Sequence, residues 1–202
     1  MVDEIELKFE VKNYNKMVNK ILSLGQFVSS AREETIMYDN SEKDLFKRDE
    51  RLRLRKIINL KNGKESCECS YKKPKTREYI KVEEEYEVMI SSFGEMRTIL
   101  AKIGFNEVSS YQRIRDTFKI DGVKITLDSF PFGDFLEIEG DIEKIKNIAN
   151  SLGFKLDDNI TESCDDIYAR LRIAEGKPIH SHIKFEEDII LEKIKHRNFL
   201  IQ

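Results

Sequence analysis

The chain has 202 residues, of which 40% are hydrophobic and 36% are charged, so its length favours one domain with an appendage. Lys and Arg number 35 and Asp and Glu 38, a formal net charge of -3 that argues against nucleic-acid or membrane binding through overall charge. Asp3, Glu4 and Glu6 argue against a secretory signal, no apolar run reaches about 18 residues, and the three cysteines lack a zinc or disulfide spacing. We therefore expect a cytoplasmic protein with no nucleic-acid or membrane partner.

Period-two segments predict eight strands that alternate with helices along the chain. The first strand covers residues 4–12, where Glu4, Glu6 and Lys8 share one face. A second, weaker strand covers about residues 35–39. The other six are predicted around residues 51–55, 67–72, 82–88, 113–120, 123–128 and 136–139. Most of these strands have charged side chains on one face and apolar side chains on the other.

Apolar residues at helical spacing predict three amphipathic helices, at residues 14–24, 93–103 and 142–152. Their expected N-terminal caps are Asn13, Ser92 and Asp141. A glycine follows each helix and is expected to cap it in the left-handed conformation, at Gly25, Gly104 and Gly153. Two further helices are predicted near residues 163–172 and 186–196.

The amphipathic helices decide which face of the sheet points inward. They need an apolar surface to cover, and the apolar strand face is the only candidate. The charged face is then the other one, and closing an antiparallel sheet of about eight strands encloses it. The sequence therefore predicts an α+β fold, a closed eight-stranded antiparallel β-barrel with a charged tunnel and helices packed on the outside. Tyr71 and Tyr86 fall on the apolar face and are expected in the core.

Charges of one sign are grouped along single strands of the inward face. Arg51, Arg53 and Arg55 form one row, and the glutamates at positions 83, 85 and 87 form another. Such rows repel unless opposite charge lies between them. Arginine and lysine bind phosphate oxygens, and clustered carboxylates bind Mg²⁺ or Mn²⁺. The expected guest is therefore a polyanion accompanied by a divalent metal ion.

The segment Glu4-Ile5-Glu6-Leu7-Lys8 resembles the Glu-x-Glu-x-Lys signature of the CYTH superfamily, the triphosphate tunnel metalloenzymes. The family includes class IV adenylyl cyclases, thiamine triphosphatases and inorganic triphosphatases. The resemblance covers residues 1–172, which we take as the tunnel domain, and leaves residues 173–202 as a C-terminal extension, expected to be helical. Companion segments follow in order: Leu52-Arg53-Leu54-Arg55, Ser70-Tyr71-Lys72, the strand with Glu83 and Glu85, Arg113, Leu127-Asp128 and Gly133-Asp134-Phe135-Leu136-Glu137-Ile138-Glu139.

The resemblance implies a role for each matching residue. Mg²⁺ or Mn²⁺ would be held by Glu4, Glu6, Glu137 and Glu139, together with Asp128. The triphosphate would contact Lys8, Arg53, Arg55, Lys72 and Arg113, with Glu85 as a further ligand. Lys8, Arg53 and Lys72 are the catalytic candidates among them. Other cations share the inward parity, and contact with the guest and a structural role, as rim charges or partners of tunnel glutamates, explain them equally well: Arg51, Arg115, Lys119 and Lys124.

Two chemistries fit this set of residues. Attack of water on the γ-phosphorus of a small-molecule triphosphate makes a triphosphatase, whereas attack of the ribose 3′-hydroxyl on the α-phosphorus makes an adenylyl cyclase that expels pyrophosphate. Hydrolysis is favoured because it needs no nucleoside pocket, although residues 133–139 resemble the cyclase branch more closely. The C-terminal helix is a candidate contact for a homodimer.

Two alternatives come from other classes of protein. A lipocalin-like barrel would have the faces reversed and would leave the helices nothing apolar to cover. A non-catalytic module that binds RNA or polyphosphate would use the basic residues between positions 61 and 77. We favour reading that segment as a solvated hairpin loop near Gly63 and Pro74.

Overall fold

The computed structural model describes residues 2–76 and 80–201 and has nine strands and seven α-helices in those ranges. The strands are β1 (Val2–Glu10), β2 (Gln26–Asp39), β3 (Arg51–Asn59), β4 (Glu65–Thr76), β5 (Lys81–Ile90), β6 (Asn106–Ile120), β7 (Val123–Phe130), β8 (Gly133–Glu139) and β9 (His182–Ile183). The helices are α1 (Tyr14–Leu22), α2 (Asp44–Lys47), α3 (Phe93–Lys102), α4 (Ile142–Ser151), α5 (Cys164–Ala174), α6 (Glu187–Lys195) and α7 (Asn198–Ile201). None of the helices in these ranges is long and apolar enough to span a membrane.

Eight strands close into a barrel. Their order is β2-β3-β4-β5-β1-β8-β7-β6, and β6 pairs with β2 to complete the circle. All of these pairs are antiparallel, whereas β9 adds to β6 in parallel. The predicted closed barrel is confirmed. The structure corrects the length of β2, which has 14 residues rather than about five, because it pairs with β6 along nearly its whole length.

The main apolar core lies between the barrel wall and the helices. Leu7 and Phe9 of β1 are only 1% exposed, and they share one cluster with Ile21 of α1 and Ile145 of α4. Burial of each such side chain contributes on the order of 2 kcal/mol. The apolar faces of the strands therefore point outward, as predicted, and the lipocalin-like arrangement of faces is wrong.

A second outer cluster forms under α3. Leu100 packs with Tyr38 of β2 and Leu54 of β3. The prediction that Tyr86 lies in the core is wrong, since this residue is 47% exposed. The cluster under α3 includes Ile90 at the end of β5 but not Tyr86.

Two of the three predicted glycine caps have the expected conformation. Gly104 and Gly153 have φ angles of 93° and 85°, which glycine adopts without strain. Gly25 has a different role, because Ser23 is the C-cap of α1. A Cβ at Gly25 would lie 2.3 Å from the carbonyl oxygen of Lys119, so glycine is required there by the close approach of β6.

The predicted N-caps all accept backbone hydrogen bonds: Asn13, Ser92 and Asp141.

The basic segment expected to form a hairpin loop near Gly63 and Pro74 does so only near Gly63, where residues 60–64 connect β3 and β4. The part near Pro74 belongs to β4. Pro74 lies inside that strand, at a register shift against β5, where a proline is tolerated. Lys72 is buried and Lys73 exposed, so neighbouring lysines point to opposite faces and form no single stripe. Arg77 lies outside the described residues.

The C-terminal extension contacts the barrel through backbone hydrogen bonds and ion pairs. The backbone N–H of Ser110 in β6 donates to the carbonyl of Ser181, just before β9. Arg197, which follows α6, is 1% exposed and forms an ion pair with Asp116 of β6. The helix predicted near residues 186–196 is present as α6. Helix α7 was not predicted, because no apolar periodicity marks it in the sequence.

Candidate active site

The barrel encloses a charged cavity of about 250 Å³. Its described lining contains nine cationic and nine acidic side chains, so the wall is close to electrically neutral. All eight barrel strands contribute, because the inward residue of each strand is charged at most levels. The cations are Lys8, Arg51, Arg53, Arg55, Lys72, Lys81, Arg113, Arg115 and Lys124, and the acids are Glu4, Glu6, Glu33, Glu68, Glu83, Glu85, Glu87, Glu137 and Asp165.

Arg55 and Arg113 line the cavity, and each keeps one buried donor without a partner in the described chain. The Nη1 of Arg55 donates to Glu68 at 2.9 Å, and that of Arg113 donates to Asp128 at 3.0 Å. The Nη2 atoms of both arginines are buried and have no hydrogen-bond partner within the described chain. A buried donor without a partner costs about 1–3 kcal/mol, so these two atoms mark a place where an anion would be stabilised.

The three predicted catalytic cations also line the cavity. Lys8 Nζ lies 3.3 Å from Glu137 and 3.8 Å from Glu6. Arg53 donates to Glu85 at 3.1 Å, and Lys72 lies 3.1 Å from the same carboxylate and also pairs with Glu4. Glu85 therefore holds two cations side by side.

The carboxylates expected to bind metal are paired with cations. Glu6 accepts from Lys81 at 2.7 Å, and Glu137 accepts from Arg115 at 2.6 Å. Glu139 pairs with Lys124 at 2.7 Å and is partly exposed at the mouth. Within the described ranges, no three acidic or histidine side chains are positioned to hold an ion.

The chemistry of these carboxylates nevertheless suits a hard divalent cation. Burial and the neighbouring Glu137 raise the pKa of Glu6, but Lys81, Lys8 and Lys72 lower it below its usual 4.5. The pKa of Glu137 is also held well below 4.5, because Lys8 and Arg115 outweigh the effect of burial. Both groups are therefore ionised and repel each other, as ligands that share a cation do.

Asp128 differs from the other predicted metal ligands. It is fully buried, and like Glu139 it is not part of the cavity lining. One oxygen accepts from Arg115 at 2.6 Å, and the other accepts from Arg113 at 3.0 Å. Both of its oxygens therefore orient guanidinium groups.

Comparison with known proteins agrees with this architecture. The family model of the CYTH domain matches residues 3–157. The chain belongs to the CYTH family. A Methanocaldococcus jannaschii protein named "putative adenylate cyclase" is 33% identical over 144 residues, which are 70% of this chain and 79% of that protein.

Two solved structures show the same fold. A Vibrio parahaemolyticus protein, also named "putative adenylate cyclase", has a TM-score of 0.71 at 21% identity, over 82% of this chain and 97% of the other. A Hippeastrum protein named "putative adenylyl cyclase", which is described as having a dominant triphosphatase activity, has a TM-score of 0.59 at 19% identity, over 89% of this chain and 100% of the other.

The other four cations predicted on the inward strand faces of the CYTH domain mostly form ion pairs with glutamates. Arg51 pairs with Glu83, Arg115 with Glu137, and Lys124 with Glu139. Lys119 is exposed and does not line the cavity. Three of these four residues therefore have a glutamate partner in the structure.

The sequence reasoning missed several lining residues of the CYTH barrel. Lys81 follows the same alternation as Glu83 and Glu85, so extending the predicted strand by one residue would have found it. Glu68 shares the inward parity of Lys72 and had a similar signal. Glu33 had none, because Arg32-Glu33-Glu34 interrupts the alternation.

One end of the cavity is apolar and covered by α5. Inward-facing Met37, Tyr111, Phe130 and Phe135 pack against Ile167 of that helix. The preceding segment is tied to β1, since Lys8 donates from Nζ to the carbonyl of residue 162 at 3.2 Å. The charged part of the cavity is therefore closed at this end by packed side chains.

The first turn of α5 adds two titratable groups to this end. Burial, followed by the charge of Asp165, raises the pKa of the Cys164 thiol to about 12, so the thiol is neutral and a poor nucleophile. Burial and the neighbouring Asp166 raise the pKa of Asp165 to about 6.

Proposed function

We propose that this CYTH protein is a divalent-metal-dependent enzyme that hydrolyses the terminal phosphoanhydride of a small-molecule triphosphate. The observation that carries the proposal is the pair of buried Nη2 donors of Arg55 and Arg113, which have no partner in the described chain. Guanidinium groups bind phosphate oxygens with well-defined geometry. Two of them in one enclosed cavity suit an anion with several phosphates.

The cavity size supports a triphosphate moiety more than a whole nucleotide. Its volume of about 250 Å³ falls below the roughly 300–1,000 Å³ usual for pockets that enclose drug-sized ligands. At the end under α5 the cavity is closed by packed apolar side chains, with Asp165 as an acidic group of the lining. A nucleoside attached to the triphosphate would therefore have to extend through the open mouth.

The residues divide into two groups in this proposal. Lys8, Arg53, Arg55, Lys72 and Arg113 bind the phosphates, with Glu85 holding Arg53 and Lys72 in place. Lys8, Arg53 and Lys72 also stabilise charge on the reacting phosphoryl group, which is most of the catalytic task in phosphoryl transfer. Mg²⁺ or Mn²⁺ would be held by Glu4, Glu6, Glu137 and Glu139, and it would neutralise phosphate charge and lower the pKa of bound water.

The second candidate is class IV adenylyl cyclase activity. It is favoured by the name of the Methanocaldococcus jannaschii relative, to which the chain is 33% identical. The same cations would hold the triphosphate, with the α-phosphorus rather than the γ-phosphorus at the reacting position. A cytoplasmic location suits either chemistry, and it is supported by the free thiols of Cys67, Cys69 and Cys164.

Product analysis separates these activities. The protein is incubated with inorganic triphosphate and with ATP, each with Mg²⁺ or Mn²⁺, and orthophosphate, pyrophosphate and cyclic AMP are quantified. Release of orthophosphate is expected. Cyclic AMP with pyrophosphate would establish the cyclase instead, and binding without any turnover would establish a non-catalytic polyphosphate binder.

A pair of neighbouring variants tests the arginine donors. Arg55→Lys keeps the charge but loses the planar fork, so kcat/KM is expected to fall about tenfold or more. Lys56→Met removes the partner of Glu65 in an exposed ion pair at 3.0 Å and is the matched control, with activity unchanged. Equal activity of both variants would contradict the assignment of Arg55.

A further inference from the structure

Glu33 lies between the two arginines that have free donors. One of its oxygens, Oε2, accepts a hydrogen bond from Arg113 Nε at 2.7 Å and lies 3.4 Å from Arg55 Nε. The residue sits on β2, where the barrel closes, and that strand pairs with β3 on one side and with β6 on the other. A single side chain there reaches cations on both neighbouring strands.

The two arginines are fixed in the same way. In Arg55, Nε donates to Thr35 at 3.0 Å and Nη1 to Glu68 at 2.9 Å. In Arg113, Nε donates to Glu33 and Nη1 to Asp128. The Nη2 atom is therefore the one left without a partner in both groups, and both arginines belong to the lining of the cavity.

We propose that Glu33 is a positioning residue that holds the guanidinium groups of Arg55 and Arg113 together, so that their two free Nη2 donors bind the same phosphate group. This inference rests on the proposed function, since it concerns how the triphosphate is bound. Without a negative charge between them, two buried cations repel each other and separate. Glu33 supplies the negative charge between the two guanidinium groups, while Glu68 and Asp128 pair with their Nη1 atoms on the other side.

The state of the Glu33 carboxylate fits this role. Burial by itself raises the pKa of Glu33, but Arg113 and Arg55 outweigh it and lower the pKa to about 2. Arg55 is 4% exposed, Arg113 5% and Glu33 5%, so water screens these charges little. The carboxylate is therefore ionised, and its orientation of the arginines persists at any neutral assay pH.

Glu33→Gln tests the proposal, because it keeps the size of the side chain and removes its charge. Binding of inorganic triphosphate is measured by calorimetry in EDTA, and KM and kcat are measured with Mg²⁺. We expect Kd and KM to rise about tenfold and kcat to change less than threefold. This pattern is the one produced by losing an interaction that stabilises the bound substrate and the transition state equally. Glu65→Gln, whose side chain pairs with Lys56 on the outer surface, is the matched control and should bind as the unmodified protein does.

The outcomes distinguish this inference from the proposed function. Failure of the unmodified protein to bind triphosphate in EDTA and to turn it over with Mg²⁺ or Mn²⁺ would refute the proposed function. Tight binding by the unmodified protein and by Glu33→Gln alike would refute only the positioning role, and so would a loss confined to kcat. If Glu33→Gln does not fold, Glu33→Asp is used, which keeps the charge but shortens the side chain by one methylene group and so withdraws its carboxylate from the two guanidinium groups. A rise in KM supports the proposal, and an unchanged KM overturns it.

Discussion

Replacing Arg197 with Met is expected to destabilise the fold by about 3–5 kcal/mol, because it leaves a buried carboxylate without its cation. Arg197 is 1% exposed and Asp116 0%. The guanidinium donates to Asp116 at 2.8 Å and to Ser129 at 2.7 Å, and it lies over the ring of Tyr14 at 4.5 Å. This one side chain therefore joins the C-terminal extension to the barrel and to α1.

The size of the effect follows from the partners that Asp116 retains. Ser30 and Tyr14 still donate to it, at 2.6 and 2.8 Å, but they carry no charge. Burial raises the pKa of Asp116 already with Arg197 present, so without Arg197 the carboxyl becomes protonated more readily. For a chain of this length, about 3–5 kcal/mol corresponds to a fall in Tm of roughly 6–20 °C.

Urea denaturation followed by circular dichroism measures this loss. Arg170→Met is the matched control, because Arg170 pairs with Glu162 at 3.0 Å on an exposed surface, where an ion pair contributes less than about 1 kcal/mol. The double variant Arg197→Met with Asp116→Asn should lose less stability than the two single variants combined. A loss for Arg197→Met no larger than for Arg170→Met would refute the reasoning.

Three further outcomes are expected. Glu6→Gln and Glu137→Gln should each abolish metal-dependent release of orthophosphate while the far-ultraviolet dichroism stays unchanged, and activity near that of the unmodified protein in both would exclude them as metal ligands. Gly25→Ala should cost about 1–3 kcal/mol of stability by overpacking, since its Cβ would meet the backbone of β6, whereas Gly94→Ala has open space and should be neutral or stabilising in thermal melts. The lowered pKa of Glu33 contributes stability that is complete above about pH 4.5 and is lost as the pH falls toward 2, so Glu33→Gln should show a weaker acid dependence of Tm in that window.

The barrel and the inward direction of its charges could be predicted from the sequence because both are local patterns. Glu4, Glu6 and Lys8 alternate with apolar residues on one strand, and amphipathic helices needed the apolar face of such strands. The other predicted strands show the same alternation of charged and apolar residues. The residues that line the cavity could therefore be predicted wherever this alternation is unbroken.

The remaining features depend on contacts between distant parts of the chain. The closure of the barrel by β2 and β6 joins residues about 80 positions apart, and it places Glu33 beside Arg113. The packing of α5 over Phe130 and Phe135 also joins segments that are distant in the sequence. The same is true of the buried ion pair between Arg197 and Asp116. Neither periodicity nor spacing carries this information.

The neutrality of the cavity wall links the two kinds of ligand in the proposed function. Each cation of the lining has an acidic partner within 4.0 Å, which is how rows of like charge coexist in one folded barrel. A triphosphate that engages these cations takes them from their carboxylates, and the released carboxylates then repel both one another and the phosphates. Divalent cations compensate both repulsions at once. A neutral, ion-paired lining therefore favours binding of metal and triphosphate together over binding of either alone.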